Sequence, residues 1–219
     1  MAASKINEME RYYAKRASEY ENIYLRPERQ DCIKESGNLL RKYFNNMNVL
    51  EIACGTGYWT EVISEVSTKI IATDLNNEVL DIAKTKKYNC KIDFIQDDSY
   101  KLGKITEKMD SLFAGFWFSH VPKSRINDFI DIINKKLNKN AIIVFMDNLY
   151  IEGNSTPISR YDIEGNSYQN RKLEDNSQHE VLKNFYNEKS LKDCFKNYGK
   201  EIEINILEYY WIIKYRKIH

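Results

Sequence analysis

Two glycines and one acidic residue have the types and the spacing of a nucleotide-binding turn. The apolar run that begins at Val49 stops at Gly55 and Gly57, and a helix-like pattern follows. Glycine suits a chain that reverses sharply after a parallel strand, because a β-carbon would obstruct the torsions or the close approach of a ligand. Asp74 ends the next apolar run, at about the 20-residue distance expected of a carboxylate that accepts ribose hydroxyls. The combination predicts a nucleotide-containing cofactor. A dinucleotide motif would require a third glycine where Thr60 stands, which weakens that alternative.

A second candidate group is cationic and follows the main pattern. Residues 168–173 and 179–186 alternate in polarity, which predicts a β-hairpin. If its loop centres on Ser177, Arg171 faces Lys183 on the same side of the hairpin. Like charges in that position repel, so an anion between them would explain the pair. The alternatives are a hairpin register that differs by one residue, or two side chains that project into solvent.

The elements that must position these residues alternate from Val49 onward. We predict strands at 49–54, 69–73, 91–96, 109–116 and 140–146, with helices at 57–66, 77–86 and 123–137 between them. Such alternation indicates a parallel sheet covered on both faces, with ligands at the carboxyl ends of its strands. A helix is expected at 188–198, and the last two strands, 201–207 and 210–215, should be antiparallel neighbours. Two helices, 5–22 and 27–44, precede the first strand.

Size and charge narrow the class of partner. The 219 residues suit one domain, 1–219, in which 1–46 form a helical lid and 147–190 an insert that covers the substrate. A net charge of +1 predicts neither a nucleic-acid face nor a polybasic membrane anchor. Four widely spaced cysteines favour reduced thiols and no metal site, and the polar start lacks a secretory signal, so we expect a cytoplasmic protein.

These motifs resemble the class I S-adenosylmethionine (SAM)-dependent methyltransferases from about residue 12 to the end. The resemblance rests on residues 51–57, Asp74, residues 94–98 and the closing strand pair. It implies an α/β Rossmann-like fold: a seven-stranded, mostly parallel sheet with an antiparallel last strand, an N-terminal helical lid and a β-hairpin insert after strand five. Residues 12–20, residues 116–122, and 168–171 with Lys183 look like a small-molecule O-methyltransferase group that includes the phosphonate O-methyltransferase of dehydrophos biosynthesis.

The resemblance also implies which residues contact the cofactor. The expected cofactor contacts are Tyr13, Arg16, Tyr20, Glu51, Ala53, Gly55, Gly57, Asp74, Leu75, Asp98, Ser99 and Phe116. Asp74 would accept the ribose hydroxyls, and Asp98 would accept from the adenine amino group, with Asp97 as the alternative. Ala53 stands where many relatives have glycine, and we expect binding to survive that departure. For the lid tyrosines, simple helix packing is the alternative.

The residues that bind the methyl acceptor are the part of the predicted site that the sequence defines least. Tyr24, His120, Arg171 and Lys183 are the expected acceptor contacts. His120 would be either a general base for a hydroxyl or amine, or only a hydrogen-bonding residue. A carboxylate or phosphonate needs no base, and Arg171 with Lys183 would then hold the anion. The sequence thus predicts an O-methyltransferase for a small anionic metabolite, monomeric or homodimeric. An N-methyltransferase for an amine or peptide, with His120 as base, and a SAM-binding protein without turnover are the alternatives.

Overall fold

The computed structural model describes residues 17–173 and 175–218, with side chains from residue 21 onward. Its main sheet has seven strands, which are numbered here together with three shorter ones of the insert. The main-sheet strands are β1 (Asn48–Ile52), β2 (Lys69–Asp74), β3 (Lys91–Gln96), β4 (Met109–Gly115), β5 (Leu137–Asn148), β9 (Gly199–Ile206) and β10 (Tyr210–Lys217). Their order is β3-β2-β1-β4-β5-β10-β9, and β10 is antiparallel to both of its neighbours. The predicted fold class, with its antiparallel last strand, is confirmed.

Helices cover both faces of this sheet. They are α1 (Gln30–Phe44), α2 (Tyr58–Ser64), α3 (Asn77–Lys84), α4 (Ile126–Lys135) and α5 (Glu188–Phe195). Apolar residues of α1, α2 and α3 share one buried cluster with Val49 and Ile212, whereas those of α4 and α5 share another with Leu50 and Trp211. The side chains of consecutive strand residues therefore pack into opposite clusters, as the two-residue period of a strand requires. None of the described helices has the length and apolar character needed to cross a membrane.

The N-terminal region differs in part from the prediction. Residues 17–25 form a 3-10 helix, so the described end of the helix expected at 5–22 is wound more tightly than an α-helix, and residues 5–16 lie outside the described part. The helix expected from residue 27 begins with a 3-10 turn, Pro27–Arg29, and continues as α1. Proline fits this first turn because its missing N–H would have had no intrahelical partner.

The insert forms the expected hairpin, but its predicted register is wrong. Strands β6 (Arg160–Tyr161), β7 (Ser167–Lys172) and β8 (Gln178–Leu182) make a separate antiparallel sheet. Arg171 lies opposite His179, whereas Lys183 follows the end of β8 and donates its N–H to the Ser167 carbonyl. The loop is centred on Asp175 because its carboxylate accepts from the Ser177 N–H, at 2.9 Å, and so closes the turn earlier than predicted.

Candidate active site

The glycine turn after β1 has the backbone conformation that its sequence predicts. Gly55 and Gly57 both have positive φ, of 58° and 81°. A β-carbon on Gly57 would lie 2.5 Å from the Tyr88 hydroxyl oxygen, and residues with a β-carbon rarely adopt this φ, so glycine is strongly favoured there. Ala53, which takes the place of a glycine, adopts φ of 52° and therefore reaches the left-handed conformation at some cost in strain.

Asp74 joins the end of β2 to this turn. One carboxylate oxygen accepts from the Gly55 N–H at 2.9 Å and the other from the Asn76 N–H at 3.0 Å. Burial raises the pKa of Asp74, and these backbone N–H groups oppose the rise. The two parts of the predicted nucleotide motif are thus in direct contact.

Glu51 supplies a buried polar atom that needs a ligand. It lies in β1, its side chain is fully buried, and Oε2 has no hydrogen-bond partner among the described residues. Burial, followed by the nearby Asp74 carboxylate, raises the pKa of Glu51 to about 8. Leaving such an oxygen unpaired is costly. A polar group of a cofactor at the turn would satisfy it, so these residues fit a SAM site.

At the end of β3, the two neighbouring aspartates have different surroundings. Both Asp97 oxygens accept backbone N–H groups, from Asp98 and from Lys104, each at 2.8 Å. Asp98 accepts from the Tyr100 N–H at 2.8 Å, and its second oxygen lies 3.4 Å from the Lys101 ammonium. Backbone groups of the loop therefore occupy both oxygens of Asp97, whereas only one oxygen of Asp98 accepts a backbone N–H. Ser99, the next residue, is buried.

An aromatic wall separates the turn from a larger cavity. The Tyr24 ring stacks on Tyr58 with centroids 4.0 Å apart, and the Tyr24 hydroxyl accepts from the Trp59 indole at 3.1 Å. Phe116 directly follows β4 and has φ of 58°, and its ring centroid lies 6.2 Å from that of Tyr24. Tyr24 lines both the small pocket at Glu51 and the larger cavity. It therefore lies at the boundary between the two pockets.

The larger cavity lies at the carboxyl ends of β4 and β5, under the insert, and has a volume of about 380 Å³. Its lining contains several cationic or potentially cationic residues. These are Arg26, Arg29, His120, Arg171, Lys172 and Lys183. Among the described residues, no aspartate or glutamate lines it. A cavity of this composition favours an anionic ligand.

His120 is buried and faces this cavity in its neutral form. Its Nδ1 lies 2.6 Å from the Leu182 carbonyl oxygen, which fixes the proton on Nδ1 and leaves Nε2 as an acceptor. Burial, and then the Lys183 charge, lowers the pKa of His120 well below its ordinary value. A proton taken up at Nε2 would therefore be held weakly.

Lys183 lies in a buried ion pair, which the sequence did not predict. Its ammonium is 2.6 Å from Asp147 Oδ1 and 2.7 Å from Ser119 Oγ. Asp147 also accepts from the Ser119 N–H, at 2.9 Å. Although burial alone would raise the pKa of Asp147, the Lys183 charge and the hydrogen bonds from Lys183 and Ser119 hold it below its ordinary value. Arg171 donates from Nη2 to the Gln169 amide oxygen at 2.9 Å. The cavity thus brings Arg171 and Lys183 together, although they do not face each other across the hairpin.

The remaining predicted residues are placed only in part. Tyr13 and Arg16 lie outside the described residues, and only the backbone of Tyr20 is described. The same N-terminal segment reaches the turn through Glu21, which accepts from the Thr56 hydroxyl at 2.6 Å. Leu75 is half-buried between the ends of β2 and β3. No group of three or more metal-ligating side chains occurs in residues 21–173 and 175–218.

The strand order, the antiparallel β10 and the glycine turn tied to Asp74 form the fold of the class I SAM-dependent methyltransferases. Residues 49–140 match the family model for the methyltransferase domain. No curated protein matches the chain in sequence.

Solved structures share this fold over most of the chain. DhpI bound to S-adenosylhomocysteine (SAH) aligns with a TM-score of 0.82 at 22% identity, over 100% of this chain and 99% of DhpI. The complex of DhpI with SAM and HEP aligns with a TM-score of 0.79 at 22% identity, over 96% of each chain. A SAM-dependent methyltransferase from Methanosarcina mazei aligns at 0.65 with 15% identity, over 82% of this chain and 97% of that one.

Proposed function

We propose that this protein transfers a methyl group from SAM to an oxygen of a small anionic metabolite, such as a carboxylate or a phosphonate. The observation that carries the proposal is the cationic cavity, which meets the glycine turn at Tyr24 and contains Arg171 and Lys183 but no lining carboxylate of the described residues. The similar protein DhpI, solved with SAM and HEP, supports a small acceptor for this chain as well.

SAM would supply an already activated methyl group, so the protein mainly has to align the acceptor and exclude water. Glu51, Gly55, Gly57 and Asp74 would hold the cofactor, with Asp98 at its adenine end. Arg171 would bind the anion with its planar guanidinium, which can contact two oxygens at once. The insert that carries Arg171 covers the strand ends and would shield the reacting atoms.

The proposed role of His120 is to position the acceptor. Its low pKa makes it a weak base, which suits an acceptor that is already ionised at neutral pH. Nε2 would accept a hydrogen bond from a hydroxyl or amide of the acceptor. This reasoning disfavours the N-methyltransferase alternative, in which a protonated amine must first lose a proton.

The test is SAH release from SAM with pairs of acceptors that share a carbon skeleton but end in a carboxylate, a phosphonate or an amine. We expect release with the acids and little with the amines. Arg171→Gln should raise the acceptor KM about tenfold or more, because a charge-assisted contact is lost. Arg160→Gln is the control, since Arg160 lies in the same small sheet but pairs with Glu180 at 2.7 Å.

Two results would contradict the proposal. Release with amines alone would favour N-methylation. Binding of SAM without SAH release from any acid or any cell extract would favour a SAM-binding protein that lacks turnover.

A further inference from the structure

Arg29 is a buried cation that no predicted role explains. It ends the 3-10 turn before α1, and only 7% of the residue is exposed. Its guanidinium lies over the Tyr209 and Tyr210 rings, 5.0 and 5.6 Å from their centroids. Within residues 21–173 and 175–218, Arg29 Nε has no hydrogen-bond partner and no carboxylate lies within ion-pair distance of the guanidinium.

Within the same described residues, the acceptors that contact Arg29 are all neutral. Nη1 lies 3.3 Å from the Asn148 amide oxygen and 3.4 Å from the Tyr210 hydroxyl, and Nη2 lies 3.0 Å from the Asn154 amide oxygen. Amide and hydroxyl oxygens orient a guanidinium without cancelling its charge. A buried charge without a counter-ion is costly, so an anion in the adjoining cavity would stabilise this arrangement.

Arg29 and Lys183 reach the cavity from opposite faces of the sheet. Asp147 and Asn148 are consecutive residues of β5, so their side chains point to opposite faces. Asp147 pairs with Lys183 on one face, whereas Asn148 contacts Arg29 on the face covered by α1. Both cations line the same cavity, but Asp147 neutralises only Lys183. Positive charge therefore enters the cavity at two separate places, on the α1 side and on the insert side.

We propose that Arg29 is a specificity-determining residue that binds an acidic group of the acceptor, and that the acceptor is a small diacid whose other acidic group lies beside Arg171 and His120. The identity of this ligand as the acceptor rests on the proposed function. The binding site itself rests on the burial, the neutral partners and the cavity position of Arg29.

The test compares succinate with butyrate, which have the same four-carbon skeleton but differ by one carboxylate. Calorimetric titrations use the full chain saturated with SAH, so that no methyl transfer is needed. Wild type should bind succinate about tenfold or more tightly than butyrate. Arg29→Gln should lose this preference. Arg41→Gln, the matched control on α1, should keep it, because the Arg41 guanidinium is bonded to Glu65 at 2.7 Å.

Equal affinity of wild type for the two acids, or an unchanged preference in Arg29→Gln, would overturn the inference. If Arg29→Gln fails to bind SAH, Asn154→Ala is the second test, because it removes the oxygen that orients Arg29 Nη2. This variant should show a weaker preference for succinate over butyrate, and an unchanged preference would again overturn the inference. A wild type that prefers succinate through Arg29 but releases no SAH from SAM with any acid would refute the proposed function and leave the role of Arg29 standing.

Discussion

Replacing Lys183 with methionine should cost about 3–5 kcal/mol of unfolding free energy. The side chains of Lys183 and Asp147 are 4% and 0% exposed and 2.6 Å apart, so the change leaves a carboxylate buried without its counter-ion. The Ser119 and Asn148 N–H groups still contact Asp147, at 2.9 and 2.8 Å, but they offset only part of that penalty. The double variant Asp147→Leu/Lys183→Met should recover most of the loss, because it removes both charges together.

Urea unfolding followed by tryptophan fluorescence measures these differences. The exposed pair Arg160–Glu180 in the same insert is the control. Its side chains are 37% and 30% exposed, so Arg160→Met should cost about 1 kcal/mol or less. A loss below about 1 kcal/mol in Lys183→Met, or a double variant no more stable than Lys183→Met, would refute the assignment of a buried ion pair.

The double variant also separates structural from ligand-binding effects of Lys183. If Lys183 contacts the acceptor, the acceptor KM should stay raised after stability has been restored. If Lys183 only neutralises Asp147, the KM should return toward that of the wild type. Only the second outcome would transfer the whole anion-binding role to the arginines.

Three further predictions concern the turn, the pH response and the cofactor. Gly57→Ala should lower the free energy of unfolding by about 1–3 kcal/mol and weaken SAH binding, because its β-carbon would meet Tyr88. Gly153→Ala is the control: Gly153 also has positive φ but lies in open space, so the loss of unfolding free energy in urea should be about 1 kcal/mol. Because the pKa of His120 is lowered in the folded state, the unfolded chain binds more protons below about pH 6.5, and stability should fall there by up to about 1.4 kcal/mol per pH unit. Urea titrations of His120→Gln should lack this contribution. Asp74→Ala should raise the SAH dissociation constant about tenfold or more in calorimetry, with acceptor binding to the SAH-saturated protein unchanged.

Sequence patterns predicted the fold because the apolar runs of the strands and the helical spacing of apolar residues are both clear in the sequence. The apolar runs of β1, β2 and β4 are buried on both faces. The apolar residues of α4 recur at spacings of three and four residues, which places Ile126, Phe129, Ile130 and Ile133 in one cluster. The glycine turn and Asp74 were found from the sequence because their spacing is set by the strand-turn-helix geometry itself. The spacing of residues in the sequence does not fix the length of a hairpin loop in the same way. In this hairpin the loop length is set by the side chain of Asp175 and by the left-handed torsion of Asn176.

The acceptor side was harder to predict because its contacts join distant parts of the chain. Lys183 pairs with Asp147 from another element, and Arg29 meets Asn148 and Asn154 only after α1 has packed on the sheet. From sequence alone, a charged residue in the first turn of a helix is expected to be exposed to solvent.

The placement of charge constrains how an anionic acceptor can react. An oxygen that accepts a methyl group from a sulfonium loses its negative charge as the bond forms, so an apolar environment favours the transition state over separated ions. Tyr24, Tyr58 and Phe116 provide such surroundings at the boundary between the two pockets. A guanidinium on the reacting oxygen itself would stabilise the starting anion more than the transition state. By the same reasoning, Arg171 should contact the oxygens of the reacting group that do not accept the methyl, and Arg29 should contact a second acidic group of the acceptor.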